Sequence, residues 1–124
     1  MKNIREKQVL WISRHTMTEA QKADLERVMG GTVNLTVWPD TVEDMEVMRP
    51  LVLRSDAVAA VLPPEKLAQL LEIAGERPVL QSVSARRPTG RWIVLPDGRR
   101  EQEFAFVHQV WKQVLEIRIR TKPL

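Results

Sequence analysis

The 124-residue chain has no cysteine and only two histidines, His15 and His108. The first absence excludes a disulfide framework, a thiolate metal site and a cysteine nucleophile. With two imidazoles in the whole chain, zinc chemistry is not expected, and no metal or cofactor is assigned. Long apolar runs are missing too. The longest, around Val58–Leu62, falls far short of the roughly 18 residues a membrane span needs. Residues 1–8, MKNIREKQ, lack the apolar centre of a secretion signal, so no membrane association and a cytoplasmic location are expected. Several catalytic signatures are absent as well: a Gly-x-x-x-x-Gly-Lys-Ser/Thr loop, a Gly-x-Gly-x-x-Gly turn, a Gly-x-Ser-x-Gly elbow and a His-Glu-x-x-His pair. A phosphate-accepting receiver domain would carry an acidic pair after its first strand. Ser13-Arg14-His15 stands there instead.

What is present is the composition of one ordinary globular domain, 44% hydrophobic and 28% charged. The net charge of +3 is mild but uneven. Residues 1–83 hold ten Lys/Arg against twelve Asp/Glu, and residues 84–124 hold nine against four. Arg86, Arg87, Arg91, Arg99 and Arg100 fall within one short window opposed only by Asp97, which builds a local positive field or a solvated basic hairpin. A long nucleic acid calls for a larger excess, so a small phosphate-bearing ligand is the expected partner.

Short apolar runs alternate with amphipathic stretches over the first two thirds. Val9–Ile12 reads as a strand. Thr18-x-x-Gln21 then forms a capping box that starts a helix near Glu19, with Ala20 or Gln21, Leu25, Val28 and Met29 inward and Gly30-Gly31 ending it. Val33–Trp38 is a second strand. A helix with a broad apolar face follows Thr41, and Pro50 should break or kink it near Met48-Arg49, because proline lacks an N–H and crowds the preceding turn. Ala57–Leu62 is almost continuously apolar, as the centre of a parallel sheet is. Pro64 opens a third helix that Gly75 closes, and Pro78–Ser84 is a fourth strand. This order predicts an α/β fold, an open and mostly parallel sheet with helices on both faces.

The remainder reads as an antiparallel extension. Arg91–Leu95 and Glu103–His108 are strand-like and joined through Pro96-Asp97-Gly98, a hairpin turn. Leu115–Arg120, LEIRIR, alternates as an edge strand would, while Val110–Val114 is ambiguous. No linker divides the chain, so one domain is expected, residues 1–84 as the alternating core and 85–124 as the hairpin and edge-strand extension.

Open α/β sheets bind ligands beyond the carboxyl ends of their strands. That rule selects Ser13, Arg14, His15 and Thr16 after the first strand, and Ser84, Arg86, Arg87, Thr89, Gly90 and Arg91 after the fourth. Hydroxyls, guanidinium groups and the helix start at Thr18 are suited to phosphate. Each also has a plainer reading. Ser13 and Thr16 satisfy turn amides, Thr18 is a helix cap, Thr89-Gly90-Arg91 is a tight turn, and His108 makes a structural hydrogen bond within a strand.

The segment Ile12-Ser13-Arg14-His15-Thr16-Met17-Thr18-Glu19-Ala20-Gln21 resembles the Ser-His-x-Leu-Thr-x-x-Gln opening of small CRISPR-associated proteins related to the CARF family. It departs from it by Arg14 between Ser13 and His15 and by Met17 for leucine. The resemblance covers about fifteen residues and the strand–helix order. It implies a Rossmann-like homodimer whose first-strand and fourth-strand loops bind a cyclic oligoadenylate, some relatives cleaving it without metal as ring nucleases. It places Ser13, His15 and Thr16 in one loop and Arg86, Arg87, Thr89, Gly90 and Arg91 in the other, with Ser84 at its start. His15 would transfer the proton, and Arg86 or Arg91 would stabilise charge at phosphorus. Two alternatives stand beside this one: a nucleotide sensor or sink without turnover, and a protein-interaction module of phage or mobile-element origin using its tryptophans and LEIRIR strand.

Overall fold

The computed structural model of the protein describes residues 6–124, so the first five residues of the stretch weighed above for a secretion signal lie outside it. Five strands and three helices follow in order: β1 (Lys7–Ile12), α1 (Glu19–Met29), β2 (Val33–Trp38), a 3₁₀ turn (Met45–Met48) running into α2 (Arg49–Leu53), β3 (Ala57–Ala60), α3 (Pro64–Ala74), β4 (Val79–Val94) and β5 (Arg100–Gln113). They form one sheet in the order β2-β1-β3-β4-β5, parallel from β1 to β4, with β5 antiparallel to β4. The fold is a Rossmann-like α/β sheet with a C-terminal antiparallel extension. Among the described residues, no helix is long and apolar enough to cross a membrane.

The side-chain alternation of a strand splits the core into two layers. Leu10 and Ile12 of β1 join Val58, Ala60 and Val79 under Met45, Met48, Val52, Leu67 and Leu70. Val9 and Trp11 face the opposite way and join Ala57, Ala59 and Leu80 under Leu25 and Trp111. Because β3 is covered on both faces, all four of its residues are buried, and it lies third of five in the sheet.

Local chemistry sets most boundaries. The Thr18 hydroxyl accepts the Gln21 N–H at 3.1 Å while the Gln21 side chain accepts the Thr18 N–H at 2.8 Å, and Gly30 closes α1 at φ 76°. Pro50 falls in the first turn of α2, so the chain changes there from 3₁₀ to α geometry and ends on Leu53. Val28, expected inward, is exposed. It lies about 60° around the helix from Leu25, and α1 buries only a narrow face.

Two expectations for the C-terminal third are corrected. The fourth strand does not stop at Ser84, and 84–91 is no loop: β4 continues without interruption to Val94 and pairs with β5 along its length. Pro88-Thr89-Gly90 is absorbed as a bulge. The register slips between Pro88 and Trp92, Gly90 adopts φ 87°, and the Thr89 hydroxyl accepts the Arg91 N–H at 3.2 Å. Proline is tolerated because β4 pairs with β3 only at Val79 and Leu80, leaving one side of the later ladder open. The turn at Pro96-Asp97-Gly98 forms as expected, Gly98 at φ 86° donating its N–H to Leu95 O at 2.9 Å. The ambiguous 110–114 segment is strand as far as Gln113.

The second correction concerns LEIRIR, which is not a strand. After Val114 N–H donates to Val79 O at 2.8 Å the chain leaves the ladder, and Val114 and Ile117 pack against the α2–α3 layer. Of the three alternate apolar residues only Ile117 is covered, while Leu115 and Ile119 stay exposed.

Candidate functional site

The strand order turns at β1, which sends one connection outward to β2 and has β3 on its other side. A crevice opens above its carboxyl end, as this topology dictates. It holds a cavity of about 360 Å³ lined from three segments: Ile12–His15 after β1, Asp40–Val42 after β2, and Val61–Pro63 with Lys66 at the start of α3.

Its lining is largely apolar, with Ile12 and Val42 buried and Leu62, Val61 and Pro63 more open, and it also includes Arg14, His15 and Lys66 with one acid, Asp40. Ser13 is buried and its hydroxyl accepts the His15 N–H at 3.0 Å, while its own N–H donates to Trp38 O at 3.1 Å. That small ring turns the chain sharply after β1 and sets His15 at the mouth. The Trp11 indole N–H donates to His15 O at 2.8 Å, so the mouth is tied to the core. Arg14 donates to the Thr41 hydroxyl and Lys66 to Glu43 O, both bracing the loop that follows β2. At the start of α3, Pro63 supplies no side-chain cap, and helix starts of this kind favour negative charge. The α1 start, by contrast, is already occupied by its capping box.

The structure thus brings Ser13, Arg14 and His15 together with Thr41 and Lys66, which the sequence reading had not singled out. Thr16 is exposed just beyond them. The other expected group lies elsewhere. Ser84 pairs with His108, Arg86 with Phe106 and Arg87 with Ala105 on the β4–β5 ladder, and Thr89, Gly90 and Arg91 form its bulge. None of these lines the cavity.

A second constellation joins the base of that ladder to α1. Ser82 Oγ lies 2.6 Å from His108 Nδ1, and His108 Nε2 lies 2.8 Å from Asp24 Oδ2. Gln21 donates its side-chain amide to Ser82 Oγ at 3.2 Å, and the Trp111 N–H reaches Asp24 at 3.3 Å. The His108 hydrogen bond, then the Arg27 hydrogen bond, hold the Asp24 carboxyl below its ordinary range. In such a chain the imidazole is the group that can take the hydroxyl proton, and the carboxylate stays ionised and orients the ring. The chain also clamps β4 and β5 to α1, the structural role expected of His108. Its members are 26 and 84 positions apart in the sequence, with no spacing to reveal them. Among the described residues, no cluster of three acidic or histidine side chains is placed to hold a metal ion.

Fold and cleft define a doubly wound α/β protein with a cation-lined crevice at its topological switch point. The chain matches no family model, no curated protein and no solved structure.

Proposed function

We propose that the cleft binds an anionic nucleotide of the cyclic oligoadenylate class, the ligand implied by the resemblance of residues 12–21, and cleaves it as a metal-independent ring nuclease. The observation that carries this reading is one cavity lined both by apolar side chains and by Arg14, His15 and Lys66. A nucleobase suits the apolar side chains, and phosphate oxygens suit the guanidinium, the ammonium and the uncapped start of α3. In the chemistry proposed, a ribose 2′-oxygen attacks the adjacent phosphorus and the bond to the 5′-oxygen breaks. His15 accepts the 2′-proton, a solvent water protonates the departing 5′-oxygen, and a 2′,3′-cyclic phosphate remains. The nucleophile belongs to the ligand, so alignment and charge stabilisation are what the protein supplies. In this arrangement Arg14 and Lys66 stabilise the charge. Arg86 and Arg91 enter only in a homodimer whose second copy reaches the cleft with its β4–β5 ladder.

The test incubates purified protein in EDTA with a panel of cyclic oligoadenylates and cyclic dinucleotides, reading retained ligand and linear product. Wild-type protein is expected to give product. His15→Ala should lower turnover about 10²–10⁴-fold with little change in Kd, and Arg14→Ala should raise Kd at least about tenfold. Equal turnover in His15→Ala and wild type removes the proton-transfer role. Retention without product leaves a sensor or sink, and neither signal discards the nucleotide reading in favour of a protein-interaction module.

A further inference from the structure

Beyond Leu80 the fourth strand no longer pairs with β3, and β4 and β5 continue as a two-stranded arm ending at Pro96-Asp97-Gly98. Isolated two-stranded ribbons are marginal in water. This one nevertheless exposes Phe106 at 78% and Trp92 at 57%, a pattern that marks an interaction surface.

The register shows how the arm is sorted. Directly paired residues share a face, so Arg86/Phe106, Pro88/Phe104, Trp92/Gln102 and Val94/Arg100 lie on the face that begins at His108. Glu101 and Glu103 lie on the other face by alternation, Glu101 pairing with Ile93. The first face therefore combines aromatic rings with arginine and carries no paired acid. Two arginines lie over its rings: the Arg86 guanidinium carbon is 3.9 Å from the Phe104 ring centroid and that of Arg100 is 5.5 Å from the Trp92 centroid. A guanidinium held by the face of a ring through cation–π attraction can still offer N–H groups to phosphate.

We infer that this face of the arm binds single-stranded nucleic acid, with Trp92, Phe104 and Phe106 stacking on bases and Arg86 and Arg100 on the phosphates. Phe104 and Phe106 are about 7 Å apart along the strand, a step equal to two stacked nucleotides at about 3.4 Å each. Base stacking on aromatics with a cationic track is how sequence-tolerant single-strand binding works. A duplex keeps its base faces buried and cannot use the rings. A second copy docked face to face would set arginine against arginine with no acid between them. The mild net charge of the whole chain conceals this surface, because Glu101 and Glu103 are on the arm's other side and Asp97 at its tip pairs with Arg99. The inference does not depend on the cleft reading.

The experiment measures fluorescence anisotropy of labelled oligoadenylates about twelve nucleotides long, within the range of single-strand site sizes, with full-length protein. RNA and DNA versions distinguish the two sources of the strand. Saturable binding with quenching of tryptophan fluorescence is expected, weakening with added salt. Trp92→Ala and Phe106→Ala should each raise Kd about 5–100-fold, and both side chains are exposed enough that folding is retained, which circular dichroism checks. Arg86→Gln should flatten the salt dependence. Arg14→Ala, in the cleft, should leave strand binding unchanged while weakening cyclic ligands, so the two readings fail separately. Absence of binding at low salt, equal affinity for duplex, or affinity untouched by both aromatic variants would overturn the inference. So would a doubled mass in sedimentation that Phe106→Ala abolishes, which would assign the face to a second copy.

Discussion

Trp11→Ala is expected to lower stability by about 3–5 kcal/mol, the cost of emptying a large aromatic from a packed core. Trp11, next to the carboxyl end of β1, is 2% exposed and meets Trp111 edge to face, ring centroids 6.0 Å apart. Total stability of a domain this size is about 5–15 kcal/mol, so the change removes a large share of it. The same side chain anchors His15 O, and the phenylalanine variant separates the two roles. Trp11→Phe keeps most of the packing and loses one hydrogen bond, about 1 kcal/mol, while freeing the mouth of the cleft. Urea unfolding of both variants is the check, and an unchanged midpoint in Trp11→Ala would show that the two-tryptophan contact does not support the fold.

Asp24→Ala is the second large effect, expected at about 3 kcal/mol, because it strands His108 Nε2 and the Trp111 N–H without their acceptor. His108 is 4% exposed at the side chain, so water does not readily replace the carboxylate. Asp24→Asn should cost about half as much, since its amide oxygen still accepts one bond. The sign of the pH dependence follows from the lowered Asp24 pKa, caused first by His108 and next by Arg27. A depressed carboxylate contributes its full stabilisation above its unfolded value, about 3.9. That contribution is lost as pH falls through the lower folded value. The gap between wild type and Asp24→Ala in urea unfolding should therefore be constant near neutrality and close in strong acid. A gap that stayed open there would place the stabilisation elsewhere.

Much of the core was legible because its signals are local. The capping box at Thr18–Gln21, the left-handed Gly30, the Pro50 break and the Pro64 start all formed where the residues indicated. Ala57–Ala60 proved central, as its unbroken apolar character required. The arm was misread for an equally physical reason. Pro88, Thr89 and Gly90 are turn residues, and whether they end a strand or bulge it depends on whether a partner strand lies alongside. LEIRIR alternates like a strand, but no sheet edge receives it, and burial of Ile117 substitutes.

For the site, the rule that ligands sit above strand carboxyl ends located Ser13, Arg14 and His15 from the sequence, since those residues follow β1 directly. Lys66 and Thr41 needed the crossovers to be folded, and the Ser82–His108–Asp24 chain needed three elements brought together.

The sequence by itself determined where helices start and stop, much of the core and that the sheet is mostly parallel, because capping, turn preference and apolar periodicity act over a few neighbouring residues. Only the tertiary structure decided that β4 outruns the sheet, that Glu101 and Glu103 part from the arm's aromatics onto the opposite face, and which cations line the cleft. Those outcomes depend on strand register and on contacts between residues far apart in the chain, which local preference does not encode.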